Sequence, residues 1–253
     1  MFNLRNTIVE LINETIIPYE KPAIYISGGI DSTILLHHLT EKTDEQIHTY
    51  TFGFKDHPNE FENAEKVAEH YNTAHTEIVI KDFIKRLSEI QRIMDRPRFN
   101  VQCYWLAEQA KNDGIETVYI GEGLDEHFGG YWNKPELSYS ASFADHYIWI
   151  VPTYKQIHEY LGLRVEIPYS SLDARQTIGY WDQKREKQFL RDAYKGIIPD
   201  FVVTLKKNAG KPNWRLLWEY ELSSEFPDID PKSDKEIRYY LNKYTIQKWI
   251  DEN

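Results

Sequence analysis

The chain has 253 residues, of which 41% are hydrophobic and 14% aromatic, and its net charge is −10. That composition excludes a disordered chain, and the length allows a sizeable core, either one large α/β domain or a core domain with an appendage. The acidic balance argues against a whole-surface nucleic-acid binder, the single cysteine (Cys103) excludes an internal disulfide, and the longest apolar run, 147–151, is far too short to span a bilayer.

Residues 4–17 carry Leu4, Ile8, Leu11 and Ile12 at helical spacing and predict a leading helix. The start, Met1-Phe2-Asn3-Leu4-Arg5, lacks the charged-then-apolar layout of a signal peptide, and with one cysteine it points to a reducing, cytoplasmic setting. A short apolar strand is expected over 23–27 and a helix over 33–41, with a glycine-rich loop between them. The β-rich stretch 47–54 predicts the next strand, and Phe61, Ala64, Val67 and Ala68 predict a helix over 60–71. A third strand over 76–80, helices over 83–94 and 101–112, and a buried strand over 117–121 follow. Strands alternating with helices imply a mostly parallel, doubly wound α/β sheet covered on both faces. Ligands of such sheets bind beyond the carboxyl ends of strands, where strand order switches, and Ser27 and Gly121 both stand at strand ends. Beyond about residue 132 the pattern is less regular, richer in Tyr and Trp, and mainly helical.

Two loops carry chemistry. Residues 27–32 read Ser-Gly-Gly-Ile-Asp-Ser. Adjacent glycines let the backbone take φ > 0 and turn N–H groups toward an anion, and the following helix adds its positive dipole end. The Ser27 and Ser32 hydroxyls can donate to phosphate oxygens. A carboxylate at Asp31 beside a polyphosphate makes sense as a ligand for Mg2+. The plainer alternative is a tight turn with Asp31 or Ser32 capping the helix. The loop is neither a Walker A sequence nor a GxGxxG fingerprint. The second loop, 121–131, packs Glu122, Asp125 and Glu126 among four glycines in eleven residues. Like charges repel, and a bound cation removes the conflict; the alternative is an acidic solvent loop.

Other candidates are weaker. Cys103 stands beside Tyr104 and Trp105 and reads as a buried apolar residue, with no CxxC pair in the chain. Nine histidines are scattered, His37 and His38 on one helix, without HxxxH or HExxH spacing, so no catalytic zinc is expected. The basic groups Lys184, Arg185 and Lys187, and Lys206, Lys207 and Lys211, are either solvated faces or neutralise a triphosphate opposite the first loop.

Residues 27–32 resemble the pyrophosphate loop (SGGxDS) of the ATP pyrophosphatase superfamily. Residues 121–131 are similar to the SGEGxDExFGGY motif in the synthetase domain of glutamine-hydrolysing asparagine synthetases, whose relatives include β-lactam synthetases and lasso-peptide cyclases. Residues 50–54 look like the strand that carries part of the adenine site. The run from Glu62 to Ile78 fits the following helix and strand, Asp95-Arg96-Pro97 resembles a DxP element, and Arg191 to Pro199 with Lys207 resembles the closing LRxxxxxxLPxxxxxRxK segment. The resemblance spans roughly 20–212. It implies an adenine nucleotide alpha hydrolase-like fold in one domain, 1–253, with a nucleotide-binding core over about 20–131 and a mainly helical acceptor-side region over about 132–253.

It also implies roles. Ser27, Gly28, Gly29, Asp31 and Ser32, with Gly121, would hold the pyrophosphate of ATP, and Asp31 and Asp125 would bind Mg2+. Glu122 matches the glutamate that positions or deprotonates the attacking amine, and Lys207 the lysine that stabilises charge at the reacting phosphates. Lys187 is a second phosphate contact, Tyr131 lines the acceptor pocket, and the backbone at Phe52 and Gly53 meets adenine. The implied enzyme is a ligase of amino-acid biosynthesis that adenylates a carboxylate, aspartate or another small acid, for attack by ammonia or another amine.

Several positions depart from the pattern. Phe2 stands where the glutaminase domain has its cysteine, and only 26 residues precede the first loop, so ammonia is expected free or from a separate glutaminase subunit. The acceptor motif GVExRVPFLD reads Gly-Leu-Arg-Val-Glu-Ile-Pro-Tyr-Ser-Ser-Leu-Asp over 162–173. The preceding Ile150-Val151-Pro152-Thr153-Tyr154 lacks the family's aspartate, for which Asp145 is the substitute with a shift. Leu205 replaces the arginine of RxK, and His127 stands where an apolar residue is usual and is either incidental or in touch with the acceptor. Two alternatives stay open: a modified base or nucleic acid as acceptor, stacked on Tyr180, Trp181, Trp214, Trp218 and Tyr220, or a nucleotide-binding subunit without turnover.

Overall fold

A computed structural model describes residues 4–15, 21–54, 59–128, 143–171, 187–205 and 214–253. Five parallel strands form its sheet: β1 (Ala23–Tyr25), β2 (His48–Phe54), β3 (Ala74–Ile80), β4 (Thr117–Ile120) and β5 (Arg164–Glu166), in the order β3-β2-β1-β4-β5. Alternate side chains enter opposite cores, as a pleated strand buried on both faces requires. On β1, Ala23 and Tyr25 join one core, while Ile24 and the following Ile26 join the other. On β4, Val118 and Ile120 part from Tyr119 in the same way.

Helices α1 (Leu4–Thr15), α2 (Ile30–Thr40) and α3 (Asn59–His70) cover one face, and α4 (Phe83–Gln91) and α5 (Cys103–Asn112) the other. A short α6 (Leu124–Phe128) follows β4. Then come α7 (Val151–Leu161), entered through a π turn at His146–Ile150, α8 (Gln188–Tyr194), α9 (Asp200–Thr204), α10 (Trp214–Leu217) and α11 (Asp234–Glu252). Ser233 caps α11, its hydroxyl accepting the Glu236 N–H at 3.3 Å. Among the described residues no helix is long and apolar enough to cross a membrane.

The doubly wound parallel sheet agrees with the alternation in the sequence, with three differences. Helix α2 starts at Ile30, three residues before the expected Thr33, so Asp31 and Ser32 lie in its first turn; Gly29 is the N-cap and no side chain caps it. Helix α4 stops at Gln91, short of the expected Met94. Strand β5 adds an edge within the stretch read as mainly helical; three residues, Arg-Val-Glu, are too few to display a strand period. The C-terminal aromatics divide. Trp218 is 3% exposed and stacks on Phe226, Trp214 packs partly buried against the same core, and Tyr220 is on the surface; Tyr180 and Trp181 lie outside the described residues.

Strand β1 has β2 on one side and β4 on the other, so strand order switches between β1 and β4. Tyr25 is level with Ile120, which brings the two glycine-rich loops side by side at the carboxyl edge.

Candidate active site

The first loop leaves β1 after Ile26, whose N–H donates to the Tyr50 carbonyl at 2.9 Å. Gly28 has φ +68°, and a Cβ there would lie 2.5 Å from Asn63 of α3, so only glycine fits. Gly29, at φ −86°, is extended. Its carbonyl accepts from the Thr33 N–H at 3.1 Å and the Thr33 hydroxyl at 2.8 Å, which starts α2 and sets its N-terminal end against the loop. The Ser27 N–H donates to the Ser32 hydroxyl oxygen at 3.3 Å.

The second loop touches the first through Gly121. A Cβ there would lie 2.9 Å from Ser32 Cα and 3.1 Å from the Asp31 carbonyl carbon. Asp31 and Asp125 then face a common point, where the Lys187 ammonium ion-pairs with both. Lys187 is the N-cap of α8, at φ 62°, and its own N–H donates to the Phe128 carbonyl at 3.1 Å. A left-handed non-glycine residue costs about 1–2 kcal/mol, which the double ion pair offsets. Burial works against the ammonium, yet Asp125 and Asp31 outweigh it and hold the lysine pKa above its usual value. Two hard oxygen donors converging on one cation position suit Mg2+.

Glu122 lies beside this pair. Burial first, then the Asp125 and Asp31 charges, push its pKa up to about 7. The Tyr154 hydroxyl of α7 donates to Glu122 Oε1 at 3.3 Å. Behind Tyr154, the His158 Nδ1–H donates to the Tyr154 carbonyl at 2.7 Å, leaving Nε2 to accept from the Tyr25 hydroxyl at 2.8 Å. The loop backbone is pinned separately. Gly123, at φ +119°, sits where a Cβ would be 2.7 Å from the Tyr169 carbonyl. The Ser170 hydroxyl donates to the Glu122 carbonyl at 2.9 Å, so His146 Nε2–H donates to Ser170 at 2.6 Å. His146 Nδ1 faces Glu126 Oε1 at 3.4 Å. Burial drives the His146 and His158 pKa values down to about 4, so both rings are neutral at pH 7.

The asparagine synthase family model matches residues 4–180. The chain belongs to the asparagine synthase family. A probable glutamine-hydrolysing asparagine synthetase of Dictyostelium discoideum is 23% identical, covering 92% of this chain and 54% of that protein. Asparagine synthetase B of Escherichia coli is 26% identical over 76% of this chain and 40% of its own length. This chain thus spans about half or less of these curated relatives. An NH3-dependent NAD synthetase from Campylobacter jejuni is similar with a TM-score of 0.44 at 13% identity, over 98% of this chain and 94% of that one.

For a member of this family the site residues fall into three groups. Asp31, Asp125, Lys187, Glu122, Gly28 and Gly121 converge at the strand switch. Gly53 is the last residue but one of β2, where a Cβ would lie 2.7 Å from the Phe61 ring, and Phe52 packs partly buried next to it. Lys207 and Tyr131 lie outside the described residues. Lys187 faces the two aspartates, whose mutual repulsion its charge offsets. His127 is fully buried, its Nε2–H donating to the Tyr169 carbonyl at 3.2 Å, so it supports the loop from beneath. Asp145 is exposed. Tyr154, Ser170 and His146 escaped the sequence reading. The one local trace of them is Tyr154 and His158 at i, i+4 on a helix.

Proposed function

We propose that this chain is an ATP-dependent, AMP- and pyrophosphate-forming amide synthetase that adenylates aspartate or another small carboxylic acid for attack by ammonia or another amine. The observation that carries the reading is the meeting of Asp31 and Asp125 around one cation, with Glu122 alongside. A carboxylate resists amines, so its oxygen first attacks the α-phosphorus, forming an acyl-adenylate as the bond to pyrophosphate breaks. All partners in that step are anionic. The N–H groups at the start of α2, its dipole and the Lys187 ammonium would offset the repulsion, and Lys187 would exchange aspartate for phosphate oxygens. Asp31 and Asp125 would hold Mg2+, which when bound neutralises charge on the pyrophosphate oxygens.

In the second half-reaction the amine attacks the acyl carbon and AMP leaves. Glu122 takes the amine proton, and a pKa of about 7 suits a base working near neutral pH. Lys207 would stabilise the reacting phosphates, Tyr131 would line the acceptor pocket, and the backbone at Phe52 and Gly53 would meet adenine. Ammonia would come free or from a separate glutaminase subunit. Buried Trp218 and half-buried Trp214 take support from the nucleic-acid alternative. A pyrophosphate-release screen over amino acids with ATP and Mg2+, with and without ammonium, tests the reading. AMP and pyrophosphate formation dependent on a carboxylate is expected, with aspartate plus ammonium the first pair to examine. ADP as the nucleotide product overturns it.

A further inference from the structure

At the far end of α2 from the pyrophosphate loop stands a second group of ligand-type side chains. His37, His38 and Glu41 place one ligand atom each within 4.8 Å of one another. Glu41 Oε2 is 2.8 Å from His38 Nδ1, and Glu41 Oε1 is 3.6 Å from His37 Nε2. Their sequence spacing explains the meeting: residues three and four apart share a helix face, so Glu41 reaches back to both rings. We infer that these three side chains form a binding site for a transition-metal ion of the Zn2+ class, separate from the Mg2+ and ATP site.

The donor set decides the class of metal. Two imidazoles and one carboxylate suit Zn2+, Co2+ or Ni2+, whereas Mg2+ favours oxygen alone. His37 Nε2 is shielded from solvent and makes no hydrogen bond, so a metal there would displace no hydrogen-bond partner. Burial pushes both imidazoles below their usual pKa and keeps them neutral, the form that ligates. Burial disfavours the Glu41 carboxylate, but its hydrogen bond with His38 and the nearby His37 lower its pKa on balance. The second ring nitrogen of His38 is fixed by the Tyr194 hydroxyl at 2.9 Å, an outer contact of the kind that orients metal-bound histidines. Glu41 is the C-cap, so the negative end of the helix dipole also favours a cation. Its side chain is 51% exposed, which gives the ion a way in and room for water ligands. Arg5 and Lys42 act against binding, since their charges bear on His38.

The position has a structural consequence. Helices α2 and α8 lie side by side, joined at their starts by Asp31 and Lys187 and, seven residues on in each, by His38 and Tyr194. A metal on His38 therefore braces the docking of the helix that presents Lys187 to the active site.

The test is a titration of the full chain with Co2+ in saturating Mg2+, followed by visible absorption, with Zn2+ as competitor. One Co2+ per chain is expected, displaced by Zn2+. Tyr194→Phe should weaken binding about tenfold, as loss of an outer partner does. His37→Ala and Glu41→Gln, both at partly exposed side chains, should weaken it more. Each variant is first matched to the wild type by its metal-free unfolding transition. Absence of Co2+ binding, or unchanged affinity in the His37→Ala, Glu41→Gln double variant, overturns the site.

Discussion

On the phosphate side of the crevice the contacts are ionic: Asp31 and Asp125 share the Lys187 ammonium, and glycines at 28 and 121 let the backbones close up around it. On the acceptor side, across 143–171, the same acidic loop is held by neutral groups, the Tyr154 hydroxyl, the Ser170 hydroxyl and the uncharged ring of His146. In the proposed reaction the phosphate side would receive a highly charged nucleotide, a task that exchangeable charges suit. The acceptor side carries no such demand on Glu122, and its neutral contacts leave that carboxyl with a pKa near 7, where an ionic partner would hold it low. For the proposed reaction, the difference implies that the two half-reactions rest on separable residues, which substitutions can test.

The largest effect belongs to Glu122→Gln. The substitution keeps size and removes the proposed base, so amide formation should fall by about 10²–10⁴-fold. Carboxylate-dependent exchange of pyrophosphate into ATP, which reports the first half-reaction alone, should survive within a few fold, because the aspartates and Lys187 are untouched. Equal losses in both assays would show that Glu122 serves the phosphate side as well, and the division would fail.

Next in size is Lys187→Met. It leaves Asp31 and Asp125 facing each other without the ammonium. Removing one partner of a buried pair costs about 3–5 kcal/mol. Asp125 is 37% exposed, so solvent screening reduces the expected loss to about 1–3 kcal/mol. Mg2+ should then raise the unfolding temperature of the variant more than that of the wild type, since the ion no longer competes with an ammonium. Unfolding curves with and without Mg2+ measure this, and identical responses would place the ion elsewhere.

What the sequence displays and what it hides follow the same line. The strands, the helices over them and both loops are local patterns, legible because alternation and glycine spacing repeat within a few residues. Even there, the start of α2 shifted to Ile30, because the Gly29 carbonyl and not a side chain begins the helix. The acceptor side is written in contacts between distant residues. Tyr154 is 32 residues from Glu122 and Ser170 is 48, and only the packing of α7 and β5 beside β4 brings them together. Strand β5 itself, Arg-Val-Glu, has neither length nor alternation to announce it.

Tyr154→Phe probes the weakest of these links. Phenylalanine fills the same partly buried space and deletes only the hydroxyl that donates to Glu122 Oε1. That bond favours the carboxylate, so its loss moves the Glu122 pKa upward from about 7. In the proposed reaction the active base is the carboxylate, populated above the pKa, so kcat/KM should rise with pH through that value. The rising limb must therefore shift to higher pH in the variant. One hydrogen bond of about 0.5–1.5 kcal/mol corresponds to roughly a 2–10-fold loss on the acid side. At high pH both proteins hold the carboxylate and the two profiles should converge. A variant that is slower by the same factor at every pH would mean that Tyr154 only fills space, and the neutral acceptor side would no longer tune the base.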